Sequence, residues 1–324
     1  MIVINQAEVR QHLTYEACIP LMREAMIALS RGKTLQLLRS ILDLADGHKF
    51  GVMPGALGVA DVFGAKLISV FPENFSKGVQ SHQGFVVLFD PESGALSALV
   101  HAGEVTAIRT AAASAAATDA LARREAHRLC ILGYGEQAHT HALAIARVRC
   151  LSEITIWGRD AAKAKTLADK LAAELGITVR TAPNVAAATD GADVICTTTA
   201  AIEPILHSAL VADGAHINAV GSSRAGPSEI ATDLVERARF FADYRPGVLA
   251  QGAEFLIAKA AGRVGDDHVL GEIGAVFDGA LTGRTSNADI TLYKSLGHIV
   301  QDLASARFLV AQVEAHGFGV EVDL

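Results

Sequence analysis

Leu129-Cys130-Ile131-Leu132-Gly133-Tyr134-Gly135-Glu136-Gln137-Ala138 is the stretch on which the reading of this chain turns. Its apolar run of four predicts a buried strand, and the pattern over residues 138–148 predicts a helix. Two glycines stand at the turn. Gly133 permits a tight reversal, and Gly135 lets the backbone approach a pyrophosphate closely. The N-terminus of the following helix offers free N–H groups and the positive end of its dipole. Ala138 is small enough for close helix–strand packing. Strand, glycine turn and helix, in this order, are the context a dinucleotide-binding turn requires.

Downstream the same grammar repeats. Strands are predicted at 128–133, 153–157, 178–182, 193–198, 216–220 and 239–242, with helices between most of them. Such alternation predicts an α/β fold, a Rossmann-type doubly wound parallel sheet. Residues 248–280 are expected to be helical with loops. A long amphipathic helix is expected at 293–316, with Leu296, Ile299, Val300, Leu303, Phe308 and Leu309 on its apolar face.

Upstream the pattern differs. Ile19, Met22, Met26 and Leu29 fall at helical spacing over residues 15–31, ending near Gly32. Short extended runs follow at 35–44, 49–53, 62–70 and 84–90. The turn Asp90-Pro91-Glu92-Ser93-Gly94 joins 85–89 to 95–101 as a hairpin. An alanine-rich helix is predicted at 107–123. Helix plus antiparallel meander describes an α+β substrate domain. Packing of the 293–316 helix back onto it makes that domain discontinuous. The expected organisation is therefore 1–125 completed by 293–324, with 126–292 as the nucleotide domain.

Bulk properties agree with two buried cores. A chain of 324 residues exceeds what one core usually supports. At 51% hydrophobic and only 5% aromatic, the interior is aliphatic and alanine-rich rather than disordered. A net charge of −7 without any basic run argues against nucleic-acid binding. No leader of charged then apolar residues opens the chain, and no apolar run of about 18 residues suggests a membrane span. Cys18, Cys130, Cys150 and Cys196 form no CxxC pair, which predicts a reduced, cytoplasmic protein without disulfides. His139 and His141 stand two apart on a helix, point away from each other and predict no metal site.

The second strand of the nucleotide domain bears on the cofactor. An NAD-preferring sheet carries Asp or Glu at its end. Here Gly158 occupies that place and Arg159 follows, a guanidinium suited to a 2′-phosphate. Asp160 stands where a helix N-cap belongs. NADP(H) is favoured; NAD(H) stays open if Asp160 grips the ribose and Arg159 is only a solvated charge.

Several segments, in order along the chain, complete the picture: Gly51-Val52-Met53-Pro54, Lys66-Leu67, Ser81-His82-Gln83, Arg109-Thr110-Ala111-Ala112-Ala113-Ser114, the glycine turn, His216-Ile217-Asn218-Ala219-Val220-Gly221-Ser222 and Lys294-Ser295-Leu296-Gly297. Together they resemble the ornithine cyclodeaminase/mu-crystallin family. The resemblance implies homodimers formed through the N-terminal domain and a C-terminal helix that rejoins it. It implies that Arg39, Lys66 and Arg109 bind a substrate carboxylate. The residue types suit this: Arg holds a carboxylate by two parallel hydrogen bonds, and a desolvated Lys can protonate or polarise a C=N bond. For each, the plain alternative is an ordinary ion pair. His82 matches a position near the nicotinamide, as a substrate contact or a structural histidine. The glycine turn and the resemblance together assign cofactor contacts to Ser81, Gln83, Thr110, Gly133, Gly135, Glu136, Gln137, Gly158, Arg159, Asp160, Lys163, Thr197, Thr198, Val220, Ser222 and Ser295.

One departure separates reactions within the family. Its cyclodeaminases carry an Asp shortly after the Asn-Ala-Val-Gly strand, which handles protons during ring closure. Ser223 stands there, and a lone hydroxyl is a poor general base. The expectation is therefore NAD(P)H-dependent reduction of a preformed small cyclic imino acid, Δ1-pyrroline-2-carboxylate or Δ1-piperideine-2-carboxylate, with Lys66 and Arg109 catalytic. The alternatives are ornithine cyclodeamination, an open-chain amino-acid dehydrogenase such as alanine dehydrogenase, and a non-enzymatic NADP(H)-binding, crystallin-like role.

Overall fold

The computed structural model describes residues 1–323. By contact the chain divides into two compact units, residues 1–109 with 298–324, and residues 110–297. The divisions fall within the helix Ala102–Leu121 and just before the helix Ile299–His316, not at the expected 125 and 293. The first shift arises because that alanine-rich helix starts earlier than 107 and runs on without a break. The second arises because Thr291–Lys294 is a strand of the second unit.

The first unit is built on an eight-stranded sheet. Its order is Val320–Glu321, Ile2–Ile4, Leu96–His101, His82–Phe89, Phe63–Val70, Lys49–Ala56 and Leu35–Gln36, with Ser40–Asp43 also on Lys49–Ala56. Every pairing is antiparallel except Ile2–Ile4 with Leu96–His101. Strand alternation puts Met53, Lys66, Ile68, Val86 and Leu88 on the buried side. The helix Ile299–His316 covers that side, and the helix Tyr15–Ser30 packs against Ile299–His316. Tyr15–Ser30 buries Cys18, Met22, Ala25, Met26 and Leu29, a stripe at helical spacing, and starts at the N-cap Thr14. The opposite face of the sheet leaves Phe50, Phe63, Leu67 and Phe85 exposed.

The second unit is a sheet of eight strands, all parallel. Its order is Thr178–Thr181, Glu153–Trp157, Arg128–Leu132, Val194–Thr197, His216–Ala219, Thr291–Lys294, Arg239–Ala242 and Val269–Glu272. The central strands are buried on both faces. Along Arg128–Leu132, Leu129 and Ile131 enter one apolar cluster while Cys130 and Leu132 enter the other. That explains the unbroken apolar run in the sequence.

Two expectations require correction, and one element is added. Residues 248–280 are not all helix and loop, because Val269–Glu272 forms the edge strand beside Arg239–Ala242. Tyr293 and Lys294 belong to a strand, and the C-terminal helix begins only at Ile299, after Gly297 at φ +81° and the N-cap His298. Ile2–Ile4, unassigned in the sequence reading, joins the first sheet.

Candidate active site

In the first unit, three elements bring charged side chains together in the interior. Lys66 projects from the buried side of Phe63–Val70, with Met53 and Val86 opposite it on the neighbouring strands. Arg109 projects from the helix Ala102–Leu121, and Asp302 from the first turn of Ile299–His316. Lys66 Nζ lies 2.9 Å from one Asp302 oxygen, and Arg109 Nε donates to the other at 2.9 Å. Arg109 Nη1 also donates to Gln301 Oε1 at 2.7 Å, and Lys66 Nζ reaches Thr106 Oγ1 at 3.4 Å. Lys66 and Arg109 are each 3% exposed and Asp302 not at all.

Burial sets the electrostatics here. It lowers the Lys66 pKa to about 8, with the Asp302 charge resisting and Arg109 assisting. Burial also opposes ionisation of Asp302, but the charges of Arg109 and Lys66 outweigh it and hold the carboxyl below its usual range. Arg39, on the segment joining Leu35–Gln36 to Ser40–Asp43, acts on Lys66 through space. Two histidines border the cluster as neutral imidazoles. Burial brings His82 to about 4, with Lys66 and Arg109 adding to the effect. Burial brings His298 to about 3, despite Asp302. Two buried cations, Lys66 and Arg109, therefore share one carboxylate, Asp302, an arrangement that attracts an anion.

The segment before His82 is held firmly. Glu104 accepts from Gln80 Nε2 at 3.1 Å, from Gln6 at 3.1 Å and from Arg10 at 2.9 Å. Ser81 Oγ and His82 Nδ1 are 2.9 Å apart, and Gln83 Nε2 donates to the Gln80 carbonyl at 3.0 Å.

The second unit holds the glycine turn. Gly133 has φ +134°, and a Cβ there would stand 2.5 Å from Thr198 Oγ1, so only glycine fits. Thr198 in turn donates to the Leu132 carbonyl at 3.1 Å. Gly135 is the N-cap of Glu136–Ile145 and supplies no side chain to its first N–H groups. Those donors are suited to a pyrophosphate. Glu136 is exposed at the first helical position. Gln137 Oε1 and Ser295 Oγ are buried without a hydrogen-bond partner among the described residues. Such atoms fit contacts to a bound dinucleotide. Gly158 has no room for a side chain, since a Cβ would lie 2.1 Å from the Tyr134 ring. Arg159 is exposed beside it. Asp160 caps the next helix, accepting from Lys163 N at 3.0 Å, and the Lys163 ammonium lies 5.9 Å from the Tyr134 ring centre.

The remaining expected cofactor residues divide. Thr110 follows Arg109 on the same helix and is buried. Val220 and Ser222 follow the strand His216–Ala219, with the Ser222 hydroxyl turned to the Pro227 carbonyl. Thr197 is turned inward, its hydroxyl donating to Glu229 at 2.7 Å. Glu229 also accepts from Thr199 N at 2.6 Å and from Gly221 N at 2.7 Å, tying together the ends of two strands.

Asp302, Gln301 and His298 were missed in the sequence reading. The signal was there: Gln301 and Asp302 are polar residues beside Val300 and Leu303, on a helix whose apolar face was recognised.

The fold and these groups define a two-unit α/β protein with a Rossmann-type nucleotide-binding sheet and a cation-rich interior site. The sequence pattern of the ornithine cyclodeaminase/mu-crystallin family matches residues 1–317, and the chain belongs to that family. It is 34% identical over 311 residues to the ketimine reductase mu-crystallin of Mus musculus, covering 94% of this chain and 95% of that one. The structure of Thermococcus litoralis Δ1-pyrroline-2-carboxylate reductase in complex with NADH and L-proline superposes with a TM-score of 0.96 at 29% identity, covering 99% of this chain and 100% of that one. The iminosuccinate reductase of Paracoccus denitrificans, in complex with NAD+, matches with a TM-score of 0.92 at 32% identity, covering 100% and 99%.

Proposed function

We propose that this protein reduces a small cyclic 2-imino acid, Δ1-pyrroline-2-carboxylate or its six-membered homologue, to the cyclic amino acid, with NAD(P)H as reductant. The observation that carries this reading is the surplus of buried positive charge around Lys66 and Arg109 in a chain that also holds a dinucleotide turn. The names of the relatives support it.

Arg109 has five N–H donors, of which Asp302 and Gln301 take two. The others bind the substrate carboxylate, with Arg39 adding charge, and so fix the position of C2. Lys66 gives its proton to the imine nitrogen as the C=N π bond breaks and C2 gains hydrogen. A nicotinamide dinucleotide held at Gly133, Gly135 and the N-terminus of Glu136–Ile145 would supply the hydride. Ser223 offers no carboxylate for ring closure, which separates this reading from cyclodeamination.

Three further assignments belong to the same reading. Arg159, exposed where no acid stands, favours NADP(H) over NAD(H). The uncovered apolar face bearing Phe50, Phe63, Leu67 and Phe85 is the surface through which two copies pair. A reductase drawing on this cofactor, with four free cysteines, belongs in the cytoplasm. Leu67→Asp tests the second assignment: light scattering should show a monomer, and an unchanged dimer would refute it.

A second substrate class, a dicarboxylate such as iminosuccinate, merits an arm of the assay, because the iminosuccinate reductase of Paracoccus denitrificans shares this fold at 32% identity. The deciding experiment follows NADPH and NADH oxidation with both cyclic imines and with oxaloacetate plus ammonia, and follows ammonia release from ornithine with NAD+. Fast oxidation with the cyclic imines supports the proposal. Oxidation only with oxaloacetate plus ammonia, or ammonia release from ornithine, would replace it.

A further inference from the structure

We propose that Asp302 is the positioning residue of this site, joining Lys66 and Arg109 through one carboxylate so that proton donor and carboxylate clamp act on a single substrate. The inference rests on the imine-reducing reading above, and it assigns a role to a residue outside the basic trio.

The geometry makes the case. One Asp302 oxygen takes Arg109 Nε and the other takes Lys66 Nζ, each at 2.9 Å. Gln301, the preceding residue, takes Arg109 Nη1 at 2.7 Å. With Nε and one Nη1 proton engaged, the guanidinium is left with its Nη2 pair and one Nη1 proton, the terminal edge that matches a carboxylate. The Lys66 ammonium, in an ion pair with Asp302 and donating to Thr106, keeps a proton for the substrate. A planar cation held at Nε and Nη1 has little freedom to turn. The donors left over are therefore fixed in direction before any substrate arrives.

Asp302 also governs the charge on Lys66. The charged or titratable groups that act there are Asp302, Arg109, Arg39, His82 and His298. Both imidazoles are neutral and both arginines repel a second cation. Among the described residues, Asp302 is the negative charge that acts to keep the lysine proton in place. Its loss should make Lys66 give up that proton at lower pH, and the high-pH limb of imine reduction, which requires the protonated lysine, should move down with it.

The test compares wild type, Asp302→Asn and Asp302→Glu by two readouts. The first is the pH dependence of kcat and KM with Δ1-pyrroline-2-carboxylate and NADPH. The second is NMR titration of the protein labelled with 13Cε-lysine, the Lys66 signal assigned by its absence in Lys66→Met. For Asp302→Asn the limb should move down by about one to three pH units, since an opposite charge at this range shifts a pKa by that much. The Lys66 titration should move with it. Misplacement of the donors should lower kcat/KM by about 100-fold, with KM raised as well as kcat lowered. Asp302→Glu keeps the charge, so the limb should stay in place while kcat falls. If Asp302→Asn does not fold, Asp302→Glu decides: a limb that moves down with the carboxylate still present overturns the proposal. An Asp302→Asn enzyme with the limb, KM and kcat of wild type also overturns it. If wild type turns over no imine, the functional reading fails, whereas the NMR titration still tests Asp302 directly; an unmoved Lys66 signal would then refute its role.

Discussion

Among the described residues two lysines are buried, each against a carboxylate, and they teach opposite lessons. In the first unit Lys66 sits 2.9 Å from Asp302, with Arg109 on the same carboxylate and Arg39 acting from nearby. In the second unit Lys294 sits 2.8 Å from Glu254, donates to the Ser222 carbonyl and acts on a second buried acid, Glu229. Positive charge is in excess around Lys66, and negative charge around Lys294. The excess around Lys294 is absorbed by the chain itself. Glu229 accepts hydrogen bonds from Thr197, Thr199 and Gly221, although burial raises its carboxyl pKa. Around Lys66, Arg109 and Lys66 share the single carboxylate of Asp302, and the anionic substrate proposed above would balance the remaining charge. A buried ion pair alone therefore says little about chemistry. The sign of what is left over distinguishes the two.

Substitution of each lysine should break this comparison apart. Lys66→Met should have the largest effect on turnover, lowering kcat with a cyclic imine by about 10²–10⁴-fold, the usual contribution of a positioned general acid. Its Tm should change little, because Asp302 keeps Arg109 as a partner. Stopped-flow absorbance and a thermal melt check both. If kcat at saturating imine stays that of wild type, Lys66 has no place in the mechanism.

Lys294→Met should behave the other way. It leaves Glu254, 1% exposed, without its cation, and breaking a buried pair in this way costs about 3–5 kcal/mol. Chemical denaturation should show that loss, while the enzyme that remains folded keeps the pH profile of wild type. A stable Lys294→Met protein would remove the structural role.

Arg109→Lys keeps the charge but loses the planar fork. Truncating one partner of a buried charged pair costs about 2–5 kcal/mol, and here the loss should appear mainly as a raised KM for the imine acid. Unchanged kinetics would dissolve the clamp. Above about pH 8 wild-type turnover should fall as Lys66 loses its proton, and that limb should be absent in Lys66→Met. His82 and His298, at about 4 and 3, titrate too low to produce it. The smallest effect belongs to Arg159→Ala. An exposed charge contributes about 1 kcal/mol at most, so the NADPH-to-NADH ratio of kcat/KM, proposed above to favour NADPH, should fall about fivefold.

Much of this was legible in the sequence because it is local. The turn at Gly133 and Gly135 lies within ten residues, and the unbroken apolar run before it signals a strand covered on both faces. The helix cap at Asp160 is equally local, and the structure shows its side chain accepting from Lys163 N. What escaped is non-local or sits where two patterns overlap. Asp302 meets Arg109 across 193 residues of chain, and no spacing rule announces such a meeting. Tyr293 and Lys294 were read as helix because Leu296, Ile299 and Val300 beyond them continue a helical spacing. The break lies in the backbone at Gly297, whose left-handed φ no periodicity reveals. Val269–Glu272 is only four residues long, too short to stand out between helices. Gly158 was read as an absent acid, and the structure adds the reason: the Tyr134 ring fills the space a side chain would need.

The most direct test of the central claim measures Lys66→Met and Lys294→Met side by side for imine turnover per folded enzyme and for Tm. The first should lose turnover and keep its Tm, and the second should lose Tm and keep the high-pH limb of wild type. An active Lys66→Met enzyme, or a Lys294→Met enzyme as stable as wild type, would contradict it.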